Sequence, residues 1–439
     1  MLSVLANRTY RHLFAAQVIA LIGTGLATVA LGLLAWQIAG KNAGLVLGTA
    51  LAIKMVAYVT LAPIASAFAD RLPRRTMLVA LDLIRATVAV ALPFVTEIWQ
   101  VYTLIFLLQA ASAGFTPTFQ ATIPDVLPDE ANYTRALSLS RLAYDLENLL
   151  SPMLAAALLT VVSFPVLFGG TVIGFLASAA LVLTVTLPSP RPAVPRGVWD
   201  RTTRGIRIYL ATPRLRGLLA LNLTVAAAGA MVIVNTVVIV QAGLGLGDTQ
   251  VALALTAFGA GSMVAALILP RLLDRIPDRP PMIAGAALLA AGMLFGPMIG
   301  SLPALAALWL TLGFGYSLTQ TPTGRLLRRS AQPEDRPAIF AAQFALSHAC
   351  WLLTYPLAGW AGARFGLDST FLILAGLAMI GVVAALRLWP ADLVDDMAHT
   401  HPELVPDHPH LHAHGTDPHR HPVIIDDLHR VWPAQTRSA

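Results

Sequence analysis

The sequence has few charged residues and almost no cysteine. Charged residues make up 12% of the 439-residue chain, against about 25% in ordinary soluble domains. Hydrophobic residues reach 56% and the mean hydropathy is +0.70, so lipid must solvate much of this apolar surface. The single cysteine, Cys350, excludes a disulfide framework. The sequence also lacks a nucleotide-binding loop and the cleavage site of a signal peptide, and no enzymatic activity is expected.

Long apolar runs fill most of the chain. Six runs precede residue 188 and six follow residue 216, and each is long enough to cross a bilayer. We therefore predict an all-α membrane protein with twelve transmembrane helices in two six-helix halves, residues 1–187 and 217–389. Residues 188–216 form a basic linker in which 199–210 has the pattern of an interfacial amphipathic helix.

A short charged turn occurs twice between apolar runs. Residues 70–75 read Asp-Arg-Leu-Pro-Arg-Arg and residues 274–279 read Asp-Arg-Ile-Pro-Asp-Arg, 204 positions later. A repeat at this spacing indicates two similar halves. Loops on this side hold 18 lysines and arginines, whereas the opposite loops hold only Lys41 and Arg364. The positive-inside rule predicts that both termini and the linker are cytoplasmic, at the inner (plasma) membrane. It also explains the net charge of +6 without nucleic acid.

Each charged turn resembles the loop between helices 2 and 3 of the major facilitator superfamily. Ser66 and Pro73 stand where that loop usually has glycine. The linker sequence from 199 to 217 looks like that of the branch containing siderophore and drug exporters, and residues 148–155 are similar to the helix-5 exporter motif. The resemblance implies a secondary transporter that works by alternating access around a mid-membrane site.

The resemblance further implies that Asp70 holds a cytoplasmic gate shut, with nearby arginines completing a charge cluster. The alternative is that these charges only set the topology. The expected gate residues are Asp70, Arg71, Arg74, Arg75, Asp274 and Arg275.

Charged residues inside the predicted spans are candidates for transport and coupling, because a charge in lipid is costly. Asp145 and Glu147 lie near the middle of the fifth span and point to nearly opposite sides of the helix. Arg141 could neutralise Asp145 at i,i+4, which leaves Glu147 without a local partner. Lys54, in the second span, could pair with Glu147 structurally or take part in coupling. His348, in the eleventh span, could bind an ion, although a hydrogen-bonded structural role is the simpler interpretation.

The tail, residues 390–439, has a different composition. Nine of the eleven histidines fall between His399 and His429, many at alternate positions, and prolines recur among them. We predict a disordered cytoplasmic arm that binds a transition metal through neutral imidazole, rather than a merely solvated segment. The expected metal ligands are His399, His401, His408, His410, His412, His414, His419 and His421.

A His-rich tail on such a carrier resembles the nickel-resistance exporters. We therefore expect proton-driven efflux of a divalent transition metal, nickel first and cobalt second, with no permanently bound cofactor. The alternative is export of a drug or siderophore-like molecule, with the tail as a side feature. A membrane sensor is less economical, because it leaves the fifth-span carboxylates without a role. The expected partners are the lipid bilayer, protons and a small solute or metal ion.

Overall fold

A computed structural model describes residues 2–39, 43–69, 72–188, 197–391, 393, 396–400, 411 and 419–432. The first half consists of six long helices that alternate in direction. They are α1 (Arg8–Ala39), α2 (Ala43–Ala69), α3 (Arg74–Ala91), α4 (Ile98–Val126), α5 (Glu130–Leu159) and α6 (Phe164–Leu183). Asp129 begins α5 as an N-cap, because its carboxylate accepts a hydrogen bond from the backbone N–H of Asn132 at 2.8 Å.

A linker helix, α7 (Val198–Ala211), leads into the second half. The remaining helices are α8 (Pro213–Val237), α9 (Asp248–Leu273), α10 (Arg279–Met293), α11 (Leu302–Gln320), the short α12 (Thr323–Arg329) and α13 (Arg336–Leu388). Helix α13 bends sharply at Gly366, whose φ of 80° lies in the left-handed region that favours glycine. The bend divides α13 into two helical arms. A π-helical segment, Val238–Gly243, extends α8.

Twelve membrane-crossing segments are present in the described part of the chain when the two arms of α13 are counted separately. By length and apolar composition alone, nine described helices qualify as spans, with α13 counted once. Helix α5 fails that criterion because it carries charged residues, and α10 fails because it has only 15 residues. The predicted all-α fold of twelve transmembrane helices in two six-helix halves is confirmed.

The two halves meet mainly along two pairs of helices, and α4 also contacts α13. Helix α5 packs against α9, and α2 packs against the first arm of α13. The linker helix α7 lies across α13 at the end of the bundle that also carries α12, which we call the linker end. A Cβ added at Gly205 of α7 would overlap the carbonyl of Ala338, so glycine permits this close approach.

Residues 419–432 of the tail fold back onto the second half, so this part is ordered within the arm that we predicted to be disordered. Strands β1 (Asp396–His399) and β2 (His419–Pro422) pair in antiparallel register. The chain after β2 buries Val423 and Ile425, and Ile425 joins the hydrophobic core of the second half. Apolar side chains after the His-rich stretch therefore stabilise contacts that the prolines alone argued against.

An ion pair adds to this docking of the tail. Asp427 pairs with Arg204 of α7 at 2.9 Å, and Arg204 also donates to Asp335 at 2.7 Å. These carboxylates raise the pKa of Arg204 against the effect of its burial. Of the expected metal ligands, His399, His419 and His421 lie on the two strands, and the others lie outside the described residues: His401, His408, His410, His412 and His414.

Candidate transport site

Glu147 and Lys54 are two charged residues near the middle of the bundle that lie close enough to interact electrostatically. Glu147 lies near the centre of α5 and Lys54 near the centre of α2. The two opposite charges interact electrostatically, and the Lys54 Nζ lies 5.6 Å from the ring centroid of Tyr58. No basic residue of α5 stands four positions before or after Glu147, where Ala143 and Ser151 are found. The structure thus brings together the two mid-membrane charges that the sequence left without local partners.

Close packing of α1 against α5 holds Glu147 in place. A Cβ added at Gly25 of α1 would overlap the side chain of Ser151 and lie 3.1 Å from Glu147 Oε1. Ser151 is buried, and its hydroxyl has no hydrogen-bond partner among the described residues. Glycine at position 25 is therefore required for α1 to approach the carboxylate this closely.

His348 approaches this pair from the second half. Its Nδ1 lies 2.7 Å from the carbonyl oxygen of Phe344, and because a carbonyl only accepts, Nδ1 is the donor. The Tyr58 ring packs edge-on against His348, with centroids 4.8 Å apart, and its hydroxyl donates to Gln109 at 2.7 Å. The histidine is thus held by its own helix and packed against α2, as a structural histidine would be.

Arg141 and Asp145 form a second, more enclosed polar cluster. They pair at i,i+4 on α5, with Arg141 Nε 3.3 Å from Asp145 Oδ2. Ser262, from α9 of the other half, donates to Asp145 Oδ2 at 2.6 Å and accepts from Arg141 Nε at 3.1 Å. The Arg141 guanidinium also lies 4.6 Å from the ring centroid of Tyr316 on α11. The Asp145 carboxylate is therefore satisfied by its own helix and by the opposite half.

A third charged pair lies wholly within the first half. Arg85 pairs with Asp82 at i,i+3, and the Ser178 hydroxyl donates to Asp82 at 2.8 Å. The Arg85 guanidinium lies 3.9 Å and 4.5 Å from the ring centroids of Phe115 and Phe175. The partners of this pair named here, a serine and two aromatic rings, all lie inside one half, which suits a structural role.

Ion pairs at the linker end join the two halves. Asp125, near the end of α4, pairs with Arg74 of its own half and with Arg336 at the start of α13. Asp125 therefore bridges the halves, and Arg74 is one of the expected gate residues that the structure places within a charge cluster.

A second ion-pair group lies beside it. Glu130, at the start of α5, pairs with Arg329 and lies 2.7 Å from Arg325 of the other half. Both arginines also pair with the buried Asp278, at 2.9 Å for Arg325 and 3.2 Å for Arg329. Burial raises the pKa of Asp278, and the two arginines oppose this effect.

The two ion-pair groups are related by the internal repeat with their charges exchanged. Arg74 and Asp125 are 51 residues apart, as are Asp278 and Arg329. The repeat spacing of 204 positions relates residue 74 to 278 and residue 125 to 329. At the linker end the ion pairs described between the halves, Asp125–Arg336, Glu130–Arg325 and Glu130–Arg329, each join a carboxylate of the first half to an arginine of the second.

The expected gate residues contribute unequally. Arg75 donates to the carbonyl oxygen of Leu183 in its own half. Asp274 and Arg275 are exposed to solvent. Asp70 and Arg71 lie outside the described residues. The residues that make the cross-half contacts were not predicted from the sequence. Their one signal there was the change from Arg74 to Asp278 between the repeated turns. These missed residues are Asp125, Glu130, Arg325, Arg329 and Arg336. Asp278, which pairs with Arg325 and Arg329 inside the second half, was missed as well.

Comparison with known proteins agrees with this architecture. A family model described as Major Facilitator Superfamily matches residues 13–239 and residues 218–406. The chain is 26% identical over 124 residues to the uncharacterized MFS-type transporter YfiS of Bacillus subtilis (strain 168), covering 28% of this chain and 30% of that protein. It is 25% identical over 152 residues to macrolide efflux protein A of Enterococcus faecalis, covering 32% of this chain and 47% of that protein. The matches thus span less than half the length of either relative.

A solved structure shows the same fold. The crystal structure of the human organic anion transporter MFSD10 (TETRAN) superposes with a TM-score of 0.75 at 14% identity, covering 86% of this chain and 99% of that one. At this identity the likeness concerns the fold alone.

Proposed function

Because the chain belongs to the Major Facilitator Superfamily and is therefore a multi-pass membrane transporter rather than an enzyme, we propose that it is a proton-coupled exporter of a small solute. The Glu147–Lys54 pair near the middle of the bundle carries this proposal. A carboxylate that faces a lysine in a weakly solvated site changes its interactions strongly when it binds a proton.

Proton exchange at Glu147 gives a simple coupling scheme. The ionised carboxylate attracts the Lys54 ammonium and draws α5 towards α2. Protonation removes that attraction and frees Lys54 to meet an anionic or polar group of the substrate. Asp145 is a poorer proton carrier, because Arg141 and Ser262 already satisfy its carboxylate.

The direction of transport is supported by the likeness to a macrolide efflux protein and by the exporter-like residues 148–155 of α5. Tyr58, whose ring lies 5.6 Å from Lys54 Nζ, contacts both His348 and Gln109. A mixture of aromatic, amide and charged groups suits an organic solute with apolar and polar parts. Export of an organic molecule is therefore our first candidate at the central site.

A divalent transition metal, nickel before cobalt, is the second candidate. The alternating histidines of the tail support it, because neutral imidazole binds these ions. Within the described ranges no group of three metal-ligating side chains has the geometry of a metal site. In this candidate the tail collects the ion and delivers it locally to the transport path.

The experiment is export from everted membrane vesicles with an imposed pH gradient, using a panel of macrolides, other drugs, nickel and cobalt. One compound class should accumulate only in vesicles that contain the protein. Glu147→Gln should abolish the gradient-driven component, whereas Glu97→Gln, an exposed N-cap of α4, should not. If the parent protein accumulates the compound at the same rate with and without the pH gradient, proton coupling is ruled out.

A further inference from the structure

Ser262 and Tyr316 of the second half contact the Arg141–Asp145 pair of α5. Ser262 is fully buried and contacts both Asp145 and Arg141, while the ring of Tyr316 faces the Arg141 guanidinium. The sequence distance between Ser262 and Asp145 is 117 residues. The hydroxyl is the only side-chain group of Ser262 that forms hydrogen bonds. The hydrogen bonds of Ser262 to Arg141 and Asp145 therefore both depend on this one oxygen atom.

Ser262 and Tyr316 are held together by tight packing of α9 against α11. A Cβ added at Gly261 would overlap the carbonyl of Leu310, and one added at Gly313 would overlap the carbonyl of Phe258. Backbones this close cannot slide independently, because each lies against the other without intervening side chains. The two side chains therefore move as one body, whereas Arg141 and Asp145 move with α5 of the other half.

We propose that Ser262 and Tyr316 form a clamp on the Arg141–Asp145 pair that selects the conformation closed at the linker end. In this conformation the clamp satisfies both charges. When the halves rock apart, the i,i+4 pair persists on α5 but loses the hydroxyl and the ring together. The clamp thus contributes to one transport state and not to the other, and Ser262 acts as a positioning residue through Asp145. This inference rests on the two-half transporter fold and is independent of the substrate and the direction of transport.

The test uses accessibility of a single cysteine at the linker end. Cys350→Ser removes the sole native thiol, and Leu137→Cys places a reporter where α5 packs against Gly324 of the other half. In this background Ser262→Ala should increase the rate of labelling by a maleimide applied from the linker side. The expected increase is on the order of tenfold, the effect of one hydrogen bond to a charged group. Tyr316→Leu should change the rate in the same direction.

Two controls separate the clamp from general loosening. Thr256→Ala removes a hydroxyl that, among the described residues, bonds to the Ala252 carbonyl of the same helix, and it should leave labelling unchanged. In a chain that carries Arg141→Gln and Asp145→Asn, Ser262→Ala should have a much smaller effect, because its charged partners are gone. An unchanged labelling rate in Ser262→Ala, or an equal increase in Thr256→Ala, would overturn the proposal.

Discussion

Replacing Arg336 by glutamine should open the linker end of the transporter. Arg336 pairs with Asp125 across the two halves, and each side chain is only 14% exposed. Asp125 keeps its second partner, Arg74, so the substitution leaves no unpaired carboxylate. Arg336→Gln therefore mainly destabilises the conformation in which the two halves touch at the linker end.

The magnitude follows from this geometry. A largely buried contact between charged groups contributes about 1–2 kcal/mol net, which corresponds to a shift of about 5- to 30-fold in the equilibrium between closed and open forms. Arg75→Gln provides a matched control, because Arg75 bonds to a carbonyl within its own half.

Spin labels at Thr186 and Glu334, which are exposed in the first and second halves, report the separation by pulsed electron resonance. Arg336→Gln should add a population at longer distance that Arg75→Gln lacks. A distance distribution identical to the parent protein would refute the bridging role of Asp125.

Three further predictions concern packing, the tail and the topology. Gly25→Ala should abolish transport and lower the yield of folded protein, because its Cβ would overlap Ser151. Adding Ser151→Gly should recover much of the transport and the yield. Gly48→Ala is the control, because a Cβ at Gly48 meets open space, and it should match the parent protein in a detergent stability assay. A peptide of residues 399–430 should bind nickel or cobalt less tightly below about pH 6.5, since protons compete for imidazole, and calorimetry that detects no binding at pH 7.5 would contradict the metal role of the tail. Reporter fusions at Arg204 and after residue 432 should give a cytoplasmic signal, and a fusion at Lys41 should give a signal from the outside. A periplasmic signal from the tail would reverse the proposed orientation.

Local features of the fold follow from the sequence because their causes are local. Apolar length predicts the spans, and an i,i+4 spacing predicts the Arg141–Asp145 pair. Helix α5 nevertheless begins at Glu130, earlier than its apolar run, because Asp129 caps it. The bend of α13 at Gly366 falls between the eleventh and the twelfth predicted spans.

Contacts between the halves could not be predicted in the same way. Ser262 is an ordinary helix residue in sequence, and only the packing of α5 against α9 brings it to Asp145. The bridge from Asp125 to Arg336 joins positions 211 residues apart. Glu147 and Lys54 were recognised as unusual because charge is rare in spans, but their proximity depends on how α2 and α5 are arranged.

Proton flux driven by the exported compound is the most direct measurement of proton coupling at Glu147. Purified protein would be reconstituted in liposomes that contain a pH-sensitive dye, and the exported compound identified in the vesicle assay would be added outside. We expect a substrate-dependent proton flux through the parent protein and through Glu97→Gln, and none through Glu147→Gln. The Glu147→Gln protein should still exchange labelled for unlabelled substrate. A substrate-dependent proton flux of normal size through Glu147→Gln would show that Glu147 does not carry the coupled proton.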